Sequence, residues 1–188
     1  MDATTLGWRG GPLAILGGAI RVGTPLLWVS LGETVTEKAG RINLGLEGTL
    51  LMGAMTAYAV SLLTGNPWLG IVAAAGVGVV FGVLHGALCS LTRVNDTAMG
   101  IALMLAGTGL AFWLGKPLIQ PSAPDLPAIE LGSWSTMPAV QAALGINPLF
   151  VIGVALAFAV HWAFGHTRIG LRLRVVGDSE NAARAFGL

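Results

Sequence analysis

Five long apolar runs limit what this chain can become. They lie at about Pro12–Leu31, Leu44–Thr64, Trp68–Leu91, Ala98–Gly115 and Pro148–Phe164. Each is roughly 17–24 residues long, enough to cross the ~30 Å hydrocarbon core of a bilayer at ~1.5 Å per residue. Apolar side chains occur all round each run, as a helix surrounded by lipid or other helices requires. No segment alternates with period two, which disfavours a β-barrel. Only 10% of the residues are charged and 54% are hydrophobic, whereas soluble domains are roughly a quarter charged. The chain therefore reads as an all-α polytopic membrane protein. We expect one transmembrane helical-bundle domain over residues 1–188, with about five transmembrane spans and a short cytoplasmic helix in the segment 165–188.

The polar stretches between the runs give order and orientation. Gly65-Asn66-Pro67 is a turn signal between the second and third runs. The segment Lys116–Asn147 holds Pro117, Pro121, Pro124, Pro127 and Pro138, which block a continuous helix. Within it, Trp134 and Met137 suit a short segment dipping to the membrane interface. A cytoplasmic tail places seven of the ten Lys and Arg residues inside: Lys38, Arg41, Arg93, Arg168, Arg172, Arg174 and Arg184. Arg9 and Lys116 fall outside, and Arg21 lies within a span. Positive charge favours the cytoplasmic side, so the expected arrangement is N-terminus outside and C-terminal segment inside. Before the first run stand Asp2 and Arg9, with no small-residue cleavage site, so no removable signal peptide is expected. A net charge of +1 and the lack of a basic patch interleaved with aromatics give no reason to expect a nucleic-acid partner.

Few residues offer chemistry. No GxxxxGK[ST], HExxH or GxSxG occurs, and we expect no catalytic residues. His85, His161 and His166 read as isolated from one another, with no carboxylate at ligand spacing, so no metal site is expected. His85 reads first as a structural histidine, and His161 and His166 as boundary cations near a helix C-terminus. The single cysteine, Cys89, reads as a small core residue at mid-membrane. Arg21 is costly by position, at least ~2.5–3.5 kcal/mol at mid-bilayer, and must reach water or a partner; Glu47 is its natural partner by charge. Glu33, Glu37, Lys38 and Arg41 crowd one connector and read as a membrane boundary. Asn43 and Glu47 admit two readings: a cap with an acid in the first turn, or a polar helix break facing a translocation path. Gly40, Gly45 and Gly48 supply backbone freedom for the second.

Two further patterns concern packing. Gly78, Gly82 and Gly86 recur every fourth residue on the third run, a doubled GxxxG that lets a neighbouring backbone approach. The expected neighbour is a helix of this chain, with a subunit interface as the alternative. In the tail, Asp178 or Ser179 can cap a short helix that Gly187 ends. Ala182, Ala183 and Phe186 give it an apolar face that needs a partner surface.

Two motifs then carry a resemblance. LGETVTEKAGRINLGLEGTLLMGA resembles the signature of bacterial ABC-transporter permeases of the nucleoside and simple-sugar uptake type, within the broader branched-chain amino-acid and ribose permease group. That signature runs GE, then ERAG, then NLGLEG and an apolar stretch with MG. Gly32-Glu33, Glu37-Lys38-Ala39-Gly40, Asn43–Gly48 and Met52-Gly53 fit it, with Lys38 where arginine is usual. The tail TRIGLRLRVVGDSENAARAFGL is similar to the family's cytoplasmic segment at Thr167, Gly170-Leu171, Leu173-Arg174, Gly177, Ala182-Ala183 and Gly187.

The resemblance implies a transport subunit rather than an enzyme, in the bacterial cytoplasmic (inner) membrane. It implies a cytoplasmic ABC ATPase that binds ATP and Mg, a second related or identical permease subunit and an extracytoplasmic substrate-binding protein. The helix-break and buried-cation readings place a pathway near Asn43, Glu47, Gly48 and Arg21, and the resemblance implies a coupling helix at Gly177, Asp178, Ala182, Ala183 and Phe186. Family members continue past this segment, so the chain is expected to be a C-terminally truncated member. The alternatives from the residues themselves are a proton-coupled secondary transporter using Arg21, Glu47 or His85, an ABC permease for branched-chain amino acids, and, against the missing constellations, an intramembrane enzyme.

Overall fold

A computed structural model describes residues 7–91, 94–119, 121–133, 140–141, 144–185 and 187. The expected interfacial segment at Trp134 and Met137 lies outside them. Seven helices are described: α1 Gly7–Lys38, α2 Leu46–Thr64, α3 Pro67–Cys89, α4 Asp96–Gly115, α5 Pro148–His166, α6 Arg168–Asp178 and α7 Glu180–Ala185. Five of them are long and apolar enough to cross a membrane: Ile15–Lys38 within α1, α2, α3, Asp96–Leu118 from α4 onward, and α5. Only 6–22% of each apolar window is buried within the chain. Large side chains such as Val72, Leu105, Phe112, Trp113 and Phe158 point outward. This inverted distribution belongs to a multi-pass membrane protein, whose apolar surface faces lipid and neighbouring helices.

The chain divides into two compact units. The first comprises Met1–Leu31 and Leu126–Ala163. Within it α1 and α5 meet where Gly153 lies against Leu27 and Trp28, and the Trp28 indole N–H donates to the Leu149 carbonyl at 3.1 Å. A two-residue ladder, β1 Ile129–Glu130 and β2 Gly145–Ile146, runs antiparallel with Ile129 opposite Ile146. Pro25 inside α1 cannot donate to the Arg21 carbonyl.

The second unit comprises Gly32–Asp125 and Phe164–Leu188. Here α2 packs against both α3 and α4. Its α3 contact is a tight hairpin. Gly65 ends α2 with φ +69, the Asn66 side chain accepts from the Trp68 N–H at 3.0 Å, and Pro67 occupies the first turn of α3. Gly70 then approaches Ala57 and Ser61.

The α4 contact is closer still. A Cβ on Gly48 would lie 2.6 Å from the Met104 carbonyl oxygen and 2.7 Å from its Cα. A Cβ on Gly107 would lie 2.7 Å from the Gly48 oxygen. Two turns before Gly107, a Cβ on Gly100 would meet the Leu44 nitrogen at 2.7 Å. These are backbone-to-backbone contacts that only glycine permits.

Three expectations change. The first helix does not stop at Leu31. Glu33, Glu37 and Lys38 end the apolar run but are acceptable helix residues, and the helix persists until Gly40 takes φ +81. The tail holds two helices rather than one, because Thr167 caps α6 by accepting from the Gly170 N–H at 3.1 Å. The Gly78/Gly82/Gly86 face shows no close helix crossing among the described residues: a Cβ at any of the three would have nothing within 4 Å. Regular spacing makes a smooth face but does not choose what covers it.

The contrast between the two glycine sets is testable. Cys89 is the only cysteine and is buried, so a thiol-specific fluorophore reports unfolding in detergent. Gly48→Leu or Gly107→Leu forces side-chain volume into backbone, at more than the ~1–3 kcal/mol of ordinary overpacking. Its melting temperature should fall by about 5 °C or more, while Gly82→Leu should melt like the parent. Equal melting of Gly48→Leu and the parent would show that the crossing is not formed.

Candidate functional site

The segment from Glu33 to Gly48 turns the chain from α1 into α2 in a fixed conformation. Arg41 N–H donates to the Thr36 carbonyl at 3.1 Å, and Gly40 N–H to the Glu37 carbonyl at 2.9 Å. This pair of bonds around a left-handed glycine is a Schellman motif. It satisfies the Thr36 and Glu37 carbonyls and sends the chain sharply away from α1.

Arg41 comes next, and it does more than mark a boundary. Its Nη1 donates to the Cys89 carbonyl at 3.1 Å and to Asp96 Oδ1 at 2.9 Å. One guanidinium thus ties the connector to the last residue of α3 and the first of α4. Asp96 also favours the positive N-terminal end of α4, where Asn95 caps by accepting from the Ala98 N–H at 3.1 Å. Cys89 therefore lies at the end of α3, not at mid-membrane, and its Sγ is 3.7 Å from His85 Nε2, both residues being buried.

Asn43 is held from two sides. Its N–H donates to Glu33 Oε1 at 3.2 Å, and its side-chain oxygen accepts from the Gly45 N–H at 2.9 Å. The second bond makes an Asx turn just before α2. Asn43 is not the N-cap; that position falls to Gly45, and α2 starts at Leu46. Glu33 Oε2 is buried with no hydrogen-bond partner among the described residues. Such an oxygen costs free energy unless a group beyond the described residues meets it.

The expected pathway residues therefore separate. Glu47 is exposed in the first turn of α2. Gly48 is buried against α4 and acts as a packing residue. Arg21 is exposed on α1, in the other compact unit from Asn43, Glu47 and Gly48.

The expected coupling residues separate as well. Gly177, near the end of α6, turns inward: a Cβ there would meet the Lys38 carbonyl oxygen and the Gly40 nitrogen. Ala183 is 2% exposed and already covered by its own chain. Ala183 itself is therefore not free to contact another protein as it stands. Asp178 is exposed. Phe186 and the side chain of Ala182 lie outside the described residues.

Sequence reasoning missed Asp96, Gly100 and Gly107. The Asn95-Asp96 pair is a helix-start signal, and Gly100 and Gly107 share a helix face seven residues apart. Both signals were present, but neither names its partner.

Arg41 carries a direct test. It is half-exposed, so its pair with Asp96 is worth about 0.2–1 kcal/mol, and the bond to the Cys89 carbonyl adds to that. Arg41→Ala should cost about 1–2 kcal/mol in a melting assay and Asp96→Asn less than about 1 kcal/mol. The double variant should lose little beyond Arg41→Ala; fully additive losses would separate the two residues.

With this geometry in place, comparison with known proteins is informative. The chain is similar to a putative glucose ABC transporter permease of Haloferax volcanii, 32% identical over 93% of this chain and 54% of the relative. It is similar to a guanosine ABC transporter permease of Bacillus subtilis, 29% identical over 87% of this chain and 56% of the relative. A nucleoside ABC transporter permease of Lactococcus lactis is 28% identical over 88% of this chain and 56% of its own length. The chain thus spans about half the length of these curated relatives. No solved structure matches it. Residues 15–188 match the model of the permease component of branched-chain amino acid transport systems, and the chain belongs to that family.

Proposed function

We propose that this chain forms part of the membrane-spanning permease of an ATP-driven importer that carries nucleosides or simple sugars by alternating access. The observation that carries this reading is the family match over residues 15–188, together with relatives whose names assign them to glucose, guanosine and nucleoside transport. Nucleosides and sugars share a polyhydroxylated ring, a substrate class whose orientation is fixed by a few placed hydrogen-bonding groups in an otherwise apolar pocket. Among the candidate pathway residues, Glu47 is exposed at the α2 start and offers a carboxylate to such hydroxyls.

In this reading a cytoplasmic ABC ATPase supplies the motor, with ATP and Mg bound there and not here. An extracytoplasmic binding protein delivers substrate, and a second related or identical permease covers part of the outward apolar surface. The N-terminus lies outside the cytoplasmic membrane. The basic tail, with α6 and α7, lies inside, where exposed Asp178 and Arg172 face the motor.

Uptake into proteoliposomes holding the assembled transporter separates this reading from proton coupling. Uptake should require ATP and survive a proton ionophore; ATP-independent uptake that collapses with the proton gradient would contradict the importer. Unlabelled guanosine or glucose should compete for uptake and leucine should not. Glu47→Ala should lower uptake roughly tenfold or more, the value of a hydrogen bond to a charged group, without loss of assembly. Unchanged uptake would remove Glu47 from the path.

A further inference from the structure

The contact between Gly40 and Gly177 is reciprocal. A Cβ on Gly40 would stand 2.8 Å from Gly177 Cα and 3.1 Å from its carbonyl oxygen. A Cβ on Gly177 would stand 2.9 Å from Gly40 N and 3.1 Å from the Lys38 carbonyl carbon. Neither position has room for a side chain, and both obstacles are backbone. The Schellman bonds satisfy the Thr36 and Glu37 carbonyls, and Gly177 closes over the Lys38 carbonyl that follows. Gly170, seven residues earlier on the same face of α6, is also buried. The tail helix thus meets the α1–α2 connector at Gly177, while Arg168, Arg172 and Arg174 are exposed.

From this contact a short series of stiff links leads to the start of α2. Arg41, adjacent to Gly40, is fixed to Asp96 and to the Cys89 carbonyl. Asn43 is fixed to Glu33. Gly45 and Gly48 are then fixed by backbone contact to α4. Each link is a hydrogen bond, an ion pair or a hard contact; the two that run through long side chains, Arg41 and Glu33, are held at their polar ends, and the glycine contacts are backbone on backbone. Packed elements of this kind transmit small shifts as rigid bodies.

We propose that the Gly40–Gly177 contact is the joint through which movement of the cytoplasmic tail reaches the α2 start and the α2–α4 crossing. Gly177 is then a positioning residue that faces inward, and not part of the surface that the ATPase grips. This rests on the importer reading given above.

Gly177→Ala is the cleanest probe, because alanine suits a helix and only the contact is disturbed. Gly165→Ala is its control, since nothing lies within 4 Å of that position. In the assembled transporter, Gly177→Ala should retain the ATPase on purification while substrate moved per ATP hydrolysed falls about tenfold, within the range of coupling between sites. In the absence of nucleotide, amide hydrogen exchange at residues 43–48 should quicken by a similar factor, with α3 unchanged. Gly165→Ala should alter neither.

Loss of ATPase binding would overturn the proposal in favour of docking by Gly177. Unchanged transport per ATP would overturn it directly. If the parent needs no ATP for uptake, the importer reading fails, and the exchange measurement still decides the joint: unchanged exchange at 43–48 overturns it. Should Gly177→Ala fold poorly, the parent transporter gives the comparison: trapping nucleotide should change exchange at residues 43–48 together with 168–178, and a change in the tail that leaves 43–48 untouched overturns the joint.

Discussion

Everything described in the second unit depends on backbone meeting backbone. Where α2 crosses α4, Gly48 and Gly107 leave no side chain between the two helices. In a bilayer the hydrophobic effect gives little help, because lipid tails are as apolar as leucine. Association then comes from dispersion and close fit, and glycine contributes by exposing its own backbone to the neighbour. The cost is backbone freedom given up on folding, which the contact must offset. Buried apolar side chains are few, and these crossings do the work that a leucine core does in a soluble bundle.

The polar interactions gather at one end of that crossing. Arg41 bridges the ends of α3 and α4, Glu33 holds Asn43, and Asn43 holds the turn into α2. A charged connector in an apolar chain thus has two jobs. Its basic residues favour the cytoplasmic side, and its side chains fix the geometry at which α2 begins. On the proposed importer reading, such a fixed point passes on motion that a flexible connector would dissipate.

Much of this was legible in sequence. The five apolar runs announced five helices, and Gly65-Asn66-Pro67 announced the hairpin between α2 and α3. Other features required the third dimension. Charge ended the first apolar run at Leu31, yet helix propensity carried α1 on to Lys38, so hydropathy misplaced its end. The regular stripe Gly78/Gly82/Gly86 drew attention by its period, while the glycines that make contact, Gly45, Gly48, Gly100 and Gly107, are less evenly placed. Arg41 and Asp96 lie 55 residues apart, and Gly40 and Gly177 farther still. No local pattern links such pairs. For Gly177 the family motif indicated a coupling segment but not that this glycine faces inward.

The central claim is that connector and tail move as one body. It is tested by spin labels at Ile42→Cys and Val176→Cys, both exposed positions, in a Cys89→Ala background of the assembled transporter. Pulsed dipolar spectroscopy would compare the nucleotide-free and nucleotide-trapped states. A single narrow distance, the same in both states, is predicted. Two populations, or a shift with nucleotide, would show that the tail moves independently of the connector and would contradict the account.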